Sequence, residues 1–250
     1  MKPLAIQLYT LRDAMQDGNH LPILQELADI GYKGIEGHGF GMTNREFRKV
    51  IEDMGMSSTS YFGPNQTPET INQFIDEAHE LGVKDTVNGY GTREYKTVDS
   101  IKELAEKLNS VAPIVKAAGL TYSMHNHYWE FEMVDGRLAI EWLLDECPDV
   151  TMELDLYWCT NFGAQKAADM VTKFKDRVVL MHVKDGPMVK DEPMTAAGAG
   201  KVDLAEAIPA ANPNWLILEM DFCATDMMQA VRESYQYLVG NALASGNRPV

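Results

Sequence analysis

Cysteine is scarce in this chain: 250 residues contain three, Cys147, Cys159 and Cys223, widely separated and odd in number. Neither a disulfide framework nor a paired-cysteine zinc module can be built from them, so the chain reads as one from a reducing compartment. Basic residues are also few. The 22 lysines and arginines face 37 acidic residues, a formal charge of −15. Such a surface repels phosphate backbones and anionic membranes at long range, which argues against nucleic-acid and membrane partners. No apolar run reaches the ~20 residues of a membrane span. The opening MKPLAIQLYTLRDAM turns polar too soon for a signal-peptide core. A cytoplasmic protein is the expectation. A glycine-rich phosphate loop is missing too, because GHGFGM at Gly37 lacks the GxGxxG form.

With 45% hydrophobic and 24% charged residues, the chain can bury a sizeable core. Short β-type runs alternate with longer segments of helical period. The runs are LAIQLY from Leu4, KGIEG from Lys33, MSSTSYF from Met56, KDTVNGY from Lys84, LTYSMHNH from Leu120, VTMELDLYW from Val150, VVLMHVKD from Val178 and WLILEMDF from Trp215. Thr43 with Glu46 forms a capping box ahead of the stripe Phe47, Val50, Ile51, Met54. Thr67 as N-cap with Pro68 opens the next helix, whose buried face is Ile71, Phe74, Ile75 and Ala78. Gly31, Gly82 and Gly119 stop helices before the strands that follow. Eight strand–helix units without a linker or a shift of composition predict one α/β domain over residues 1–250, a (β/α)8 TIM barrel. An open doubly wound sheet fits the alternation as well, but ordinarily carries the absent phosphate loop.

Residues i and i+2 of a strand share a face, and barrel active sites lie at the C-terminal strand ends. The last four strands end in polar pairs at that spacing: His125/His127, Glu153/Asp155, His182/Lys184 and Glu219/Asp221. So many ionisable groups at a barrel mouth are costly to desolvate without mutual pairing or a cation. One histidine or acid from each strand makes a mixed nitrogen and oxygen shell, which suits Mn(II), with Co(II), Zn(II) or Mg(II) as alternatives.

These residues resemble the xylose isomerase-like TIM-barrel superfamily, in the branch of sugar phosphate isomerases/epimerases. That superfamily also holds ketose epimerases, inosose dehydratases and, more distantly, endonuclease IV. The resemblance spans the chain, from IQLYTLRD and IGYKGIEG through HNHYWEF, ELDLYW and HVKD to GAGKVDL and LEMD. It implies one metal ion held by Glu, Asp, His and Glu from strands five to eight. Asp155, His182 and Glu219 match by residue type. On the fifth strand the chain reads HNH where relatives have an ENH-like stretch, which puts His125 in the ligand position and removes a carboxylate used there for proton transfer.

His127, Lys184, Glu130 and Glu153 are the acid/base candidates. Lys184 serves equally well to orient a substrate oxygen, Glu130 to cap the strand exit, and Glu153 to support a ligand. Tyr9, Trp129, Tyr157 and Trp158 could stack on a sugar ring or simply pack the barrel. Glu36 and His38 lie where they could line the pocket, whereas His20 and His79 read as surface helix residues. The blander alternatives are a hydrogen-bonded core role for His125 and His182, and an ion network joining Asp155 and Glu219 to Lys184. The expected activity is isomerisation or epimerisation of a sugar or keto-sugar through a metal-stabilised enediolate. The runner-up is a metal-dependent lyase or dehydratase acting on a keto-sugar or 3-keto-glycoside. A non-catalytic carbohydrate-binding barrel would bind no metal. A DNA-directed metallonuclease is disfavoured by six histidines in all and the acidic charge. The expected partner is a small carbohydrate, and assembly into a homo-oligomer is left open.

Overall fold

Parallel strands and helices alternate around a ring, and the strand order places the first strand beside the last. The computed structural model describes residues 1–64 and 66–250. The strands are β1 (Lys2–Gln7), β2 (Gly34–Glu36), β3 (Ser57–Ser58, resuming as Ser60–Phe62), β4 (Asp85–Asn88), β5 (Thr121–His125), β6 (Val150–Asp155), β7 (Val178–Val183) and β8 (Trp215–Leu218). The helices are α1 (His20–Ile30), α2 (Asn44–Asp53), α3 (Ile71–Leu81), α4 (Val98–Ala117), α5 (Ala139–Glu146), α6 (Ala167–Phe174), α7 (Leu204–Ala207) and α8 (Met227–Gly240). β1 pairs with both β2 and β8, with Ile6 opposite Ile35 and Leu218. This is the (β/α)8 barrel that the alternation predicts.

The ring is completed at a break in β3. Its first half pairs with β2 and its second half with β4. Thr59 stands between them, donating its backbone N–H to Ile35 O at 3.0 Å. A polar SSTS run supplies little packing, so the chain passes from one neighbour to the other here without a continuous strand.

Helix boundaries follow local chemistry. The Thr43/Glu46 capping box is present at α2, and Gly31 and Gly82 end α1 and α3 at φ values of +118° and +80°, where a side chain would strain the backbone. The α3 start differs from the Thr67/Pro68 expectation. Residues 68–70 form a turn, and Thr70 Oγ1 accepts the Thr67 N–H at 3.0 Å, so the helix begins at Ile71. Among the described residues, no helix is long and apolar enough to cross a membrane.

Inward-facing side chains stack in three layers. At the N-terminal strand ends Asp85 bonds Thr121 Oγ1 at 2.9 Å and Asn214 Nδ2 at 2.9 Å, and Ser123 bonds Thr151 at 2.8 Å. Above lies an apolar layer of Ala5, Val87, Leu180 and Ile217, all fully buried. Above that, at the C-terminal ends, the interior turns ionic. The larger apolar core lies outside the ring, where Leu24 and Leu27, Phe47 and Ile51, Phe74, and Leu104 and Leu108 present helix stripes to the strands.

Candidate active site

Strand register brings the ionic residues together. His125 of β5 lies opposite Glu153 of β6, and His182 of β7 opposite Asp155. Glu219 follows β8 directly. His125, Asp155, His182 and Glu219 each offer a donor atom within 4.8 Å of the others, and all four are buried, Asp155 completely.

The surrounding carboxylates orient the imidazoles. His182 Nδ1 lies 2.9 Å from Glu219 Oε2, and its Nε2 lies 2.6 Å from Glu36 Oε2 and 3.3 Å from Glu153 Oε2. Glu153 Oε2 also lies 3.0 Å from His125 Nδ1, so one carboxylate bridges two rings. Glu36 is fixed in turn by Gln7 Nε2 at 2.8 Å and by the Ser60 hydroxyl. Lys184 is 1% exposed and its Nζ faces Asp155, Glu219 and Asp221 at 3.2, 2.7 and 2.9 Å. The ion network weighed as an alternative is therefore present, alongside the four-residue cluster.

Burial and charge act against each other here. Burial would lower Lys184, but the carboxylates of Asp155, Glu219 and Asp221 outweigh it and hold the ammonium charged. Burial is likewise overcome at His182, where Glu153, Glu36 and Glu219 push the ring well above its ordinary range. Glu219 is held low because Lys184 and His182 exceed the desolvation that would raise it. Burial, then the neighbouring Glu153 charge, pushes Glu36 up to about 7. Burial, helped by the charge on His182, takes His125 down to about 4, and burial takes His127 down to about 3, with His125 and Lys184 adding to it.

The donor set fits a divalent cation. Two imidazoles and two carboxylates converge, each ring has a nitrogen against a further carboxylate, and Asp155 Oδ2 and Glu153 Oε1 are buried acceptors without a hydrogen bond. Asp155 Oδ2 has the Lys184 Nζ charge 3.2 Å away. Metal-bound histidines commonly give their other N–H to such a carboxylate, and uncompensated buried carboxylate oxygens are costly.

The mouth is a cavity of about 640 Å³, lined by His125, His127, Glu153, His182, Lys184, Glu219 and Asp221 on one side. Gln7, Tyr9, His38, Phe62, Tyr90 and Trp129 line the other. The His127 ring stacks on Trp129 with centroids 4.2 Å apart. Other expected residues lie elsewhere. Glu130 is fully buried outside the pocket lining, its Oε2 accepting the His127 backbone N–H at 2.8 Å. It braces the strand exit. Tyr157 is buried against Gly186, and Trp158 lies beneath Lys184, whose Nζ is 5.3 Å from its ring, so neither aromatic lines the mouth. His20 stacks on Phe40, and His79 lies on α3. Sequence reasoning missed Gln7, Phe62 and Tyr90, and also Asn126, whose Oδ1 accepts the Asp155 backbone N–H at 2.9 Å and fixes β6 against β5. The Asn between the two histidines of HNH was the available signal.

The family model describing the xylose isomerase-like TIM barrel matches residues 24–238. The chain belongs to this family. Comparison with curated proteins gives no match. Among solved structures, a sugar phosphate isomerase/epimerase from Parabacteroides distasonis is 23% identical with a TM-score of 0.77, over 98% of this chain and 96% of its own. The probable 3-DHS dehydratase AsbF from Bacillus anthracis is 14% identical with a TM-score of 0.72, over 95% and 98%. The IOLI protein, described with a bound zinc atom, is 14% identical with a TM-score of 0.68, over 96% and 99%. At these identities the likeness is one of fold.

Proposed function

We propose that the chain is a divalent-metal-dependent enzyme that moves a proton beside the carbonyl of a sugar or keto-sugar, acting as an isomerase or epimerase. The observation that carries this reading is the convergence of His125, Asp155, His182 and Glu219 on one point of the barrel mouth, where the buried Glu153 Oε1 accepts no hydrogen bond and Asp155 Oδ2 has only the Lys184 charge at 3.2 Å. The mixed shell suits Mn(II), with Zn(II), Co(II) or Mg(II) acceptable. Such an ion, when bound, polarises a substrate carbonyl and acidifies the adjoining C–H.

The chain's own groups supply the rest. His127 lines the pocket as a neutral imidazole and is the candidate base. Lys184 stays charged between its carboxylates and orients a substrate oxygen, its ammonium offsetting charge that develops there. Glu36 and Glu153 hold the His182 and His125 rings. One observation favours the lyase as a second reading. With Glu130 withdrawn from the pocket, one neutral imidazole and one ammonium remain as an obvious base and a charge to offset that on the leaving oxygen, which is what elimination requires. Epimerisation with two opposed bases would need Glu153 or Asp221 as the second.

Elemental mass spectrometry on chelator-free protein tests the metal. Near one transition metal per chain is expected, with affinity reduced at least 10-fold in Asp155→Asn. Failure to take up Mn(II), Co(II), Zn(II) or Mg(II) would overturn the reading in favour of a non-catalytic carbohydrate-binding barrel. Deuterium incorporation from ²H₂O into candidate keto-sugars then reports proton transfer, and an ultraviolet-absorbing unsaturated product separates elimination from isomerisation.

A further inference from the structure

The mouth has two chemically distinct halves. β5 to β8 supply His125, His127, His182, most of the carboxylates and Lys184. The mouth after β1 to β4, with Trp129, is lined by Gln7, His38, aromatic rings and glycines, and the arginine beside them, Arg12, lies over Tyr9 and is spent on the carbonyls of Tyr9 and Asp221. Tyr9 and Phe62 are 51% and 47% exposed although they line a concavity. About half of each residue is thus not spent on packing the core, and one face of the Tyr9 ring carries the Arg12 guanidinium.

These rings are held in place. The Arg12 guanidinium lies 4.1 Å over the Tyr9 ring and donates to the carbonyls of Tyr9 at 2.8 Å and Asp221 at 2.6 Å, tying the β1 exit to the β8 exit. Trp129 Nε1 donates to Tyr90 O at 3.2 Å, joining the β5 exit to the β4 exit. His38 Nε2 lies 3.1 Å from Phe62 O. Gly89 carries no Cβ where one would rest against the Phe62 ring at 4.0 Å, which leaves that ring's edge clear. A fixed aromatic face matches the C–H face of a pyranose or the ring of an aglycone, and its orientation costs little entropy on binding.

Charge excludes the other common decoration of sugars. Glu36, Glu153, Asp155, Glu219 and Asp221 surround a single lysine already within 3.2 Å of three of them. A divalent ion in the cluster offsets only part of this charge, and a phosphate dianion would meet carboxylates at a mouth whose cations are already engaged, Lys184 by three carboxylates, His182 by Glu36, Glu153 and Glu219, and Arg12 by two carbonyls. A cavity of about 640 Å³ also exceeds what one hexose ring fills. We infer that the substrate is a neutral two-part carbohydrate, a glycoside or disaccharide, whose reacting sugar lies over β5 to β8 while its second unit stacks on Tyr9, Phe62 and Trp129.

This rests on the enzymatic reading above, and the test separates the two. Isothermal titration calorimetry on the full-length chain, with and without Zn(II), compares glucose, galactose and xylose as the free sugar, the phenyl β-glycoside and the sugar phosphate. At least one phenyl glycoside is expected to bind 10-fold or more tighter than its parent sugar, and no phosphate tighter than its parent. Phe62→Ala, a change on a half-exposed ring, is expected to bring the glycoside-to-parent ratio close to one, and Tyr9→Ala to reduce it. A phosphate that binds more tightly than its parent, or the absence of any glycoside preference, would overturn the inference. If Mn(II), Zn(II), Co(II) or Mg(II) binds in parallel titrations, that failure leaves the metal-enzyme reading standing; if none of them binds, both fall.

Discussion

Glu130 is a carboxyl group shut inside the barrel rim. Burial pushes its pKa up to about 8 from an ordinary 4.5, against the opposing pull of the backbone N–H groups of Glu130 and His127. A raised carboxyl pKa means that the folded state favours the protonated form. The stability it contributes is complete below about 4.5 and declines as pH rises through 8. Glu130→Gln keeps an acceptor for the His127 N–H without a titrating proton. The variant should therefore gain relative to the native protein as pH rises from 5.5 to 8, by up to about 1.4 kcal/mol per pH unit. Urea unfolding at both pH values measures this, and an equal stability difference at the two would show that Glu130 titrates normally. HNHYWEF left this residue open between an acid/base role and capping of the strand exit, because spacing tells which residues leave a strand but not which way the exiting turn folds. Glu36 illustrates the same limit: its partner His182 is 146 positions away, and only closure of the ring brings them together.

At the scale of elements, the segment after β7 is organised by one side chain. Asp185, buried and adjacent to Lys184, accepts the backbone N–H groups of Gly186, Gly198, Gly200 and Val202 at 2.8, 2.9, 3.0 and 3.0 Å. A Cβ at Gly200 would collide with that carboxylate and one at Gly198 with the Tyr237 ring, which explains the two glycines of GAGKVDL in physical terms. Asp185→Asn replaces one acceptor oxygen by a donor facing N–H groups and should destabilise the fold by on the order of 3 kcal/mol. Hydrogen exchange should then quicken at residues 198–202 first; unchanged protection there would refute the anchoring role. Strands and helices themselves were legible, because periods of 2 and 3.6 are local. The break at Thr59 and the late start of α3 at Ile71 were not, since each depends on hydrogen bonds that compete with the regular pattern.

For the whole molecule, ionic groups crowd one end of a chain with net charge −15. If the cluster holds a cation, the folded state gains affinity that the unfolded chain lacks. Metal at 100 times its dissociation constant adds about 2.7 kcal/mol, roughly 5–10 °C in Tm for this size. Differential scanning calorimetry after chelator treatment and after addition of Mn(II) or Zn(II) checks this, and identical melting in all samples would count against a metal site. The pairs that form the cluster were legible because four strands repeat the i, i+2 spacing. Of the aromatic half, Tyr9 and Trp129 were legible as aromatics near strand ends, whereas Phe62 and Tyr90, at the ends of MSSTSYF and KDTVNGY, carried no signal of which way their rings face.

The apolar layer of Ala5, Val87, Leu180 and Ile217 separates the ionic mouth from the Asp85–Thr121–Asn214 cluster at the other end of the barrel. The layer's side chains carry no group that could relay a proton, so it separates the two ends chemically, but its low polarity leaves their charges in communication: Glu36 at the mouth helps to raise the Asp85 carboxyl at the base, after burial, so a change of charge at the base would be felt at the mouth.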